Sequence, residues 1–403
     1  MRLAARGLRK LGRMSRSEWP LLAAVFLEMT GFGMAFPDIQ LRAEVFGAPG
    51  QIIGAVLASY FVVQLLVSPA WGRLSDRVGR KPVLLVCTAL SAGSMVIYAL
   101  AHTVETILLS RLVAGLAAAN VVAAQAYIAD VNRGVQLERS MGRMSAAMLA
   151  GLVAGPAIGG FLATVGGNQL MGFAAAGCSL ASWVWILFGV RSVPVVATAT
   201  SEAPRLRRRS WALLQDTPGL MRFVAIAVAG WFVLACLEGT YGRLIKHNLG
   251  MGQFEFGLIF SYESLLGAGV GWTLGWLATR LGSSWMLKGG YLLQAIGLLA
   301  MPFAPGFGVL LLASTFYAFG IGVTNPTINS VCSKMTSNER QGELFGVLQA
   351  ARSVGFVAGP ILGGALFDVL PGLPYYVAAG VAAIAALMVV APQEETAPES
   401  APG

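Results

Sequence analysis

The sequence has little charge. Only 12% of its 403 residues are Asp, Glu, Lys or Arg, where soluble domains carry about 25%. With 56% apolar residues and a mean hydropathy of +0.70, so few charges cannot keep a soluble surface wetted. Histidine is nearly absent: His102 and His247 leave no material for a His-ligated metal or haem centre. The four cysteines, Cys87, Cys178, Cys236 and Cys332, lie in apolar stretches without CxxC or Cys/His spacing. That argues against a disulfide framework or a zinc site. No GxxxxGK[ST] loop occurs, so ATP hydrolysis by this chain has no phosphate cradle. No Ser/His/Asp set falls in the apolar stretches either, and the chain reads as a non-enzyme without metal or cofactor.

What is present is a series of long apolar runs. Runs of about 20 residues read as membrane helices. They fall near 19–39, 51–71, 82–101, 106–129, 142–165 and 168–190, then near 219–241, 256–278, 286–304, 306–330, 344–367 and 373–391. The fold class is therefore all-α, with twelve transmembrane helices. The net charge of +9 does not point to nucleic acid, because the bases sit in short connections. With the N-terminus inside, 23 of the 28 Lys and Arg fall on one side, and only Arg42, Arg243 and Lys246 on the other. Positive charge stays on the cytoplasmic side, so both termini are expected there. The segment 1–18 is basic and lacks an apolar core of its own, as a cytoplasmic anchor would. Two six-helix bundles, 19–190 and 219–391, flank a linker at 191–218. The basic SEAPRLRRRS core of that linker fits anionic lipid headgroups or a solvated strap equally well. The tail 392–403 is acidic, rich in Pro and Ala, and reads as disordered.

The two bundles repeat each other. Gly151, Gly155, Pro156, Gly159 and Gly160 recur as Gly355, Gly359, Pro360, Gly363 and Gly364 at an offset of 204, and Gly142 and Gly346 extend the match. Gly72 to Gly79 is echoed at an offset of 203 by Gly275 to Gly282, with Asp76 replaced by Thr279. Leu27-Glu28-x-Thr30 recurs as Leu237-Glu238-x-Thr240 at an offset of 210. Parallel repeats of this kind place a site between the halves near mid-bilayer.

These residues resemble the major facilitator superfamily. The stretch Gly72-Arg73-Leu74-Ser75-Asp76-Arg77-Val78-Gly79-Arg80-Lys81-Pro82 is similar to its loop 2–3 signature. Arg111-x3-Gly115 resembles its helix-four motif, and the Gly-Pro-Gly-Gly block of the fifth span resembles the motif of its drug:proton antiporters. Glu28-x2-Gly31-Phe-Gly33-x3-Pro37 and Ala126-Tyr-Ile-Ala-Asp130 resemble the twelve-span, tetracycline-efflux-like branch. The resemblance covers about residues 19–390. It implies a multi-pass protein of a bacterial inner (plasma) membrane. It implies that Asp76 closes the cytoplasmic side against the starts of helices eleven and four, and that Arg111 pairs with an embedded acid. Helices one, four, seven and ten would line the cavity.

The residues support these roles on physical grounds. Gly72, Asp76, Arg77, Gly79 and Arg80 make a tight turn in which one acid can cap a helix or pair with a base. The stripe Gly151, Gly155, Gly159 and Gly160 admits a close neighbour, and Pro156 removes a helical hydrogen bond. Of 19 acids, only Glu28, Glu238 and Glu263 fall well inside spans. An embedded charge costs about 2.5–3.5 kcal/mol on insertion scales, so such residues are candidates for function. Each is a proton carrier, a cation-attracting wall or a structural hydrogen-bonding group. Tyr60, Gln64, Asn120, Gln125, Trp231, Tyr241, Tyr262, Tyr317 and Asn325 are candidates for the cavity wall, suited to flat, lipophilic or cationic ligands. The first reading is a proton-coupled exporter of small amphipathic or cationic molecules. Its partners would be that small molecule, protons and membrane lipids, not nucleic acid, and it would act as a monomer. A transporter of one metabolite, such as a sugar or lipid, and a non-transporting scaffold are the alternatives.

Overall fold

A computed structural model describes residues 18–132, 134–192, 213–337 and 340–389, without the side chain of Trp272. The basic N-terminus, the SEAPRLRRRS core and the tail lie outside the described residues. Every described element is helical. The first half contains α1 (Glu18–Val45), α2 (Gly50–Val78), α3 (Arg80–Ala99), α4 (Val104–Ala117), α5 (Asn120–Val131) and α6 (Val135–Gly189). The second contains α7 (Leu220–Leu249), α8 (Gln253–Ala300), α9 (Phe307–Lys334), α10 (Gln341–Val369) and α11 (Leu373–Met388). Two of these helices are pairs of spans. α6 turns at Gly166 and Gly167, and α8 turns at Gly282, where the backbone leaves helical values. α4 and α5 together form the fourth span, broken at Ala118–Ala119. Counted as arms, the helices give the twelve runs of the sequence.

Large apolar side chains face outward, including Phe188, Leu387, Leu66 and Val165. Lipid solvates such a surface where water would not, and within lipid only fully hydrogen-bonded helices are stable. The helices overrun the apolar runs at several ends. α1 continues to Val45 and α7 to Leu249, so Arg42 and Arg243 are buried helical residues rather than loop residues. Lys246 lies in the same last turns of α7.

The repeats recur in three dimensions. Gly79 and Gly282, equivalent at the offset of 203, share one backbone conformation, with φ of 97° and 74° and extended ψ. Side chains avoid that region, which explains glycine at both turns. Thr30 and Thr240 each donate to the carbonyl four residues earlier, at 2.8 and 2.9 Å.

The glycine stripes set the packing. A Cβ added at Gly151 would lie 2.6 Å from the Phe26 carbonyl oxygen, and one at Gly155 2.6 Å from that of Thr30. Both are closer than real contacts allow, so α6 lies backbone to backbone on α1. In the second half Gly355 and Gly359 meet Trp231, Phe232 and Ala235 of α7 in the same way. The last glycine of each block does something else. Gly160 meets Gln253 and Phe254 of the opposite half, and Gly364 meets Gly50.

The halves touch toward the turn at residues 46–49. There α2 crosses α10 at Gly54 and Pro360, and α6 crosses α8 at Pro156 and Gly257. Gln40 Nε2 donates to the Glu238 carbonyl at 3.0 Å, and its Oε1 accepts from the Gly242 N–H at 3.1 Å. Arg243 ties Glu44 and Asp368, each at 3.0 Å, while Lys246 and His247 also reach Glu44. Asp368 in turn accepts from the Gly50 N–H at the start of α2, at 2.6 Å. At the opposite end, an added Cβ at Gly72, Gly142, Gly342 or Gly346 would meet nothing within 4 Å. The bundle is shut at one end and open at the other.

Arg243→Gln should loosen the shut end. The substitution removes two ion pairs but leaves Glu44 with Lys246 and His247 and Asp368 with the Gly50 N–H, and pairs as solvent-accessible as these contribute about 1 kcal/mol or less each. A cysteine at buried Ala48 should then react with a polar maleimide several-fold faster than in the parent. An unchanged rate would show that the helix crossings alone hold that end.

Candidate functional site

Glu28 lies ten residues into α1 and is 6% exposed. Its Oε2 accepts from Ser91 Oγ of α3 at 2.9 Å and from Asn120 Nδ2 of α5 at 3.2 Å. Ser91 also bonds Ser179 of α6 at 3.2 Å. Glu28 Oε1 is buried without a partner. No described cation forms an ion pair with this carboxylate. Neutral donors can solvate it when ionised, and the unfilled oxygen leaves a position for a proton. The break before α5 places Asn120 at the first helical position, where its own Oδ1 accepts from the Val121 N–H at 2.7 Å. Of the wall candidates in this half, Asn120 therefore meets Glu28 directly. Gln125 is exposed and Gln64 is half-buried, and neither has a described bond to the acid.

Arg111 is 1% exposed and does not reach the interface. Nor does it meet Glu28. Its guanidinium lies over the Tyr98 ring at 5.4 Å, with Nε on Ser110 Oγ at 3.3 Å. The acid beyond it is Asp38, which accepts from the Tyr98 hydroxyl. Asp38 is buried near the end of α1 and was not legible as an embedded acid, because the apolar run ends at residue 39.

In the second half Glu263 Oε1 and the Tyr317 hydroxyl are both buried without partners. Tyr241 bonds Ser314 at 2.5 Å and Tyr262 bonds Thr315 at 2.8 Å, tying α7 and α8 to α9. Tyr241 and Tyr317 lie in the core of that half, whereas Glu238 and Asn325 are half-buried. An aromatic series crosses between the halves. Trp231 and Phe356 lie 5.7 Å apart, Phe356 stacks on Phe61 at 4.2 Å, and Tyr60 meets Phe61 edge-on at 5.0 Å. Trp231 and Tyr60 were expected at the cavity wall. Phe61 and Phe356 were not singled out among 20 phenylalanines, since no local spacing marks them. Arg352 projects over Trp231 at 4.9 Å and Phe356 at 5.4 Å. It is exposed and has no hydrogen bond or ion pair among the described residues.

At the open end Asp76 accepts from Arg80 at 2.5 Å, and Arg80 also donates to Asp130 at the end of α5 at 2.8 Å. The link from the turn to the fourth span thus runs through Arg80. Asp76 makes no described contact with the start of α10, which stands clear around Gly342 and Gly346. Asp76→Asn should weaken both this cluster and any closure of the open end. Transport should fall about tenfold, about 1.4 kcal/mol, with membrane expression near normal. Undiminished flux in the variant would leave the turn as a positive anchor only.

The comparisons with known proteins bear on the family and the fold. The Major Facilitator Superfamily model matches residues 21–269 and again 240–403. The chain belongs to the major facilitator superfamily. It is 27% identical over 92% of its length to Multidrug resistance protein 1 of Bacillus subtilis, covering 95% of that protein. It is 25% identical over 95% of its length to the Quinolone resistance protein NorA of Staphylococcus aureus, covering 98% of it. Among solved structures, the nucleoside transporter NupG superposes with a TM-score of 0.77 at 17% identity, covering 93% of this chain and 98% of that one. At that identity the likeness concerns the fold. This superfamily member is a multi-pass membrane protein built from two bundles, with its embedded acids between and within them.

Proposed function

We propose that the chain is a proton-coupled exporter of small amphipathic or cationic molecules, working by alternating access. The observation that carries the reading is Glu28. It is a buried carboxylate with neutral donors on one oxygen and none on the other. A group of that kind can take up and release a proton without disturbing an ion pair. The drug-resistance names of the relatives support export as its use. The 23-to-3 distribution of bases orients the open end to the cytoplasm, where cargo loads, and the shut end to the outside. The membrane would be a bacterial plasma membrane, and the unit a single chain.

Trp231, Phe356, Phe61 and Tyr60 offer flat faces to a ring-bearing cargo. Glu263 and the Tyr317 hydroxyl are unsatisfied acceptor and donor on the second half's side. Arg352 widens the range: its unpaired charge favours cargo that also bears a carboxylate beside its ring. For neutral or zwitterionic cargo, one proton crossing 100 mV releases about 2.3 kcal/mol, which sustains somewhat over one decade of cargo gradient at about 1.4 kcal/mol per decade, whereas one-for-one exchange with a monocation is electroneutral and draws only on the pH difference.

The test is a proteoliposome with an imposed pH gradient and an internal pH dye. Lipophilic cations, tetracycline-like compounds, ring-bearing zwitterions and sugars are added in turn. Proton movement that depends on a ring-bearing cationic or zwitterionic compound supports the reading. Movement with sugars alone, or none with any compound that binds, overturns it.

A further inference from the structure

We propose that Asp38 is a second proton-binding residue of the cycle, and that in its ionised form it holds the 46–49 end of the two halves shut through Gln253. The proposal rests on the proton-exchange reading for the source of its protons, while its geometry stands apart from Glu28. Asp38 is 4% exposed and accepts from three side chains on three other helices. Tyr98 of α3 donates to Oδ2. Asn168 of α6 donates to Oδ1 at 3.3 Å, and Gln253 of α8 donates to the same oxygen. Gln253 also donates to Asn168 Oδ1 at 3.3 Å. Gln253 is the member that belongs to the opposite half. The bond from Gln253 to Asp38 is thus a polar tie across the interface that must part when this end opens.

The surroundings tune this carboxylate without neutralising it directly. Arg42, one turn along α1, spends its guanidinium on the carbonyls of Tyr98, Ala99 and Ala101, at 2.7, 3.3 and 2.5 Å. Arg42 and Arg111 lie on the Tyr98 ring at 4.9 and 5.4 Å. Those are the charged groups facing Asp38 from α1 and α4. α3 contributes the Tyr98 hydroxyl, and α6 and α8 contribute only amides. Glu28 is ten residues back along the helix, about 15 Å away. A cleft lined by Arg42, His102, Asn168 and Gln169 reaches the same cluster from the shut end. Asn168 lines that cleft and bonds Asp38, so solvent on that side has a polar route to the acid.

Hydrogen bonds to an ionised acceptor are about twice as strong as neutral ones. A proton on Oδ1 would displace the two amides. A proton on Oδ2 would turn the Tyr98 hydroxyl and leave Oδ1 a weaker, uncharged acceptor. Either way the tie to Gln253 weakens, and this end opens toward the side that delivers protons.

The test uses the full chain in lipid with its four cysteines replaced and spin labels at Val45→Cys and Val369→Cys. These two exposed positions flank the shut end from opposite halves. From pH 8 to pH 5 the long-distance fraction should rise about tenfold, about 1.4 kcal/mol. Asp38→Asn should hold that fraction high at both pH values and reduce the ratio to about one. Gln253→Ala should do the same with Asp38 intact, which decides the matter if Asp38→Asn folds poorly. A flat response in the parent overturns the proposal. So does a response that survives Asp38→Asn or Gln253→Ala. Because no cargo is needed, a proton-sensitive opening without any cargo exchange would sink the exporter reading and leave Asp38 in its role.

Discussion

Replacing Glu28 by glutamine is expected to remove concentrative transport while leaving the protein folded. The amide carbonyl can still accept from Ser91 and Asn120, which bond the carboxylate now at 2.9 and 3.2 Å. No described cation loses a partner. The variant also avoids placing a charge within a span, which costs about 2.5–3.5 kcal/mol on insertion scales, so thermal stability should hold or rise. The loss is confined to the proton. For neutral or zwitterionic cargo, without the 2.3 kcal/mol that a proton carries across 100 mV, accumulation against a gradient should fall by between one and two decades. Exchange down the cargo's own gradient should continue. Paired pH-dye and cargo measurements on the same vesicles read both quantities. Proton-linked accumulation at parental levels in the variant would move the carrier to Asp38, Glu238 or Glu263.

Gly54→Val is expected to be as severe by a different route. A Cβ at Gly54 would overlap the Pro360 carbonyl and lie 2.7 Å from Ile361 Cα. Backbone on both sides leaves nothing flexible to yield. The crossing of α2 and α10 would be pushed apart, and the end that is shut here could not shut. Each half keeps its own core, so the protein should reach the membrane. Net transport should fall more than about tenfold, since a cycle that cannot close one end leaks or stalls. Polar reagents should reach a cysteine at Ala48 from outside. Gly380→Val, in α11 with open space around it, serves as the comparison and should transport normally. Parental transport by Gly54→Val would mean that the crossing adjusts more than a proline carbonyl allows.

Much of this architecture is written locally in the chain. The apolar runs mark the spans, and the offsets of 203, 204 and 210 reappear as matched turns, stripes and threonine bonds. Hydropathy marks where lipid is, however, and not where a helix stops. Arg42 and Arg243 therefore read as loop residues although the helices carry them inward. The same limit hid Asp38, one residue inside the edge of an apolar run. Its partners Tyr98, Asn168 and Gln253 are 60 to 215 residues distant, and no spacing along the chain announces them. Glu28 was legible because a lone acid in an apolar run is costly, while its donors were not. Arg111 was legible as an embedded base, but its orientation toward Tyr98 depends on how α3 and α4 pack. The resemblance to the family implied a partner acid for it, and the bonded chain from Tyr98 leads to Asp38 rather than Glu28.

The last glycine of each repeated block brings the main chains of the two halves into direct contact at two points of the seam. Where Gly160 and Gly364 cross their partners, main chain lies on main chain with no side chain between them. Such a joint offers little friction and little grip. Polar ties around the rim add to the preference for one state: Arg243 with its acids, Asp368 on the Gly50 N–H, Gln40, Ser261 on the Ala157 N–H, and Gln253 on Asp38. A joint arranged this way can be biased by a single proton or a single ion pair, while the stacked Phe61 and Phe356 are the side chains that must part and re-seat as it moves.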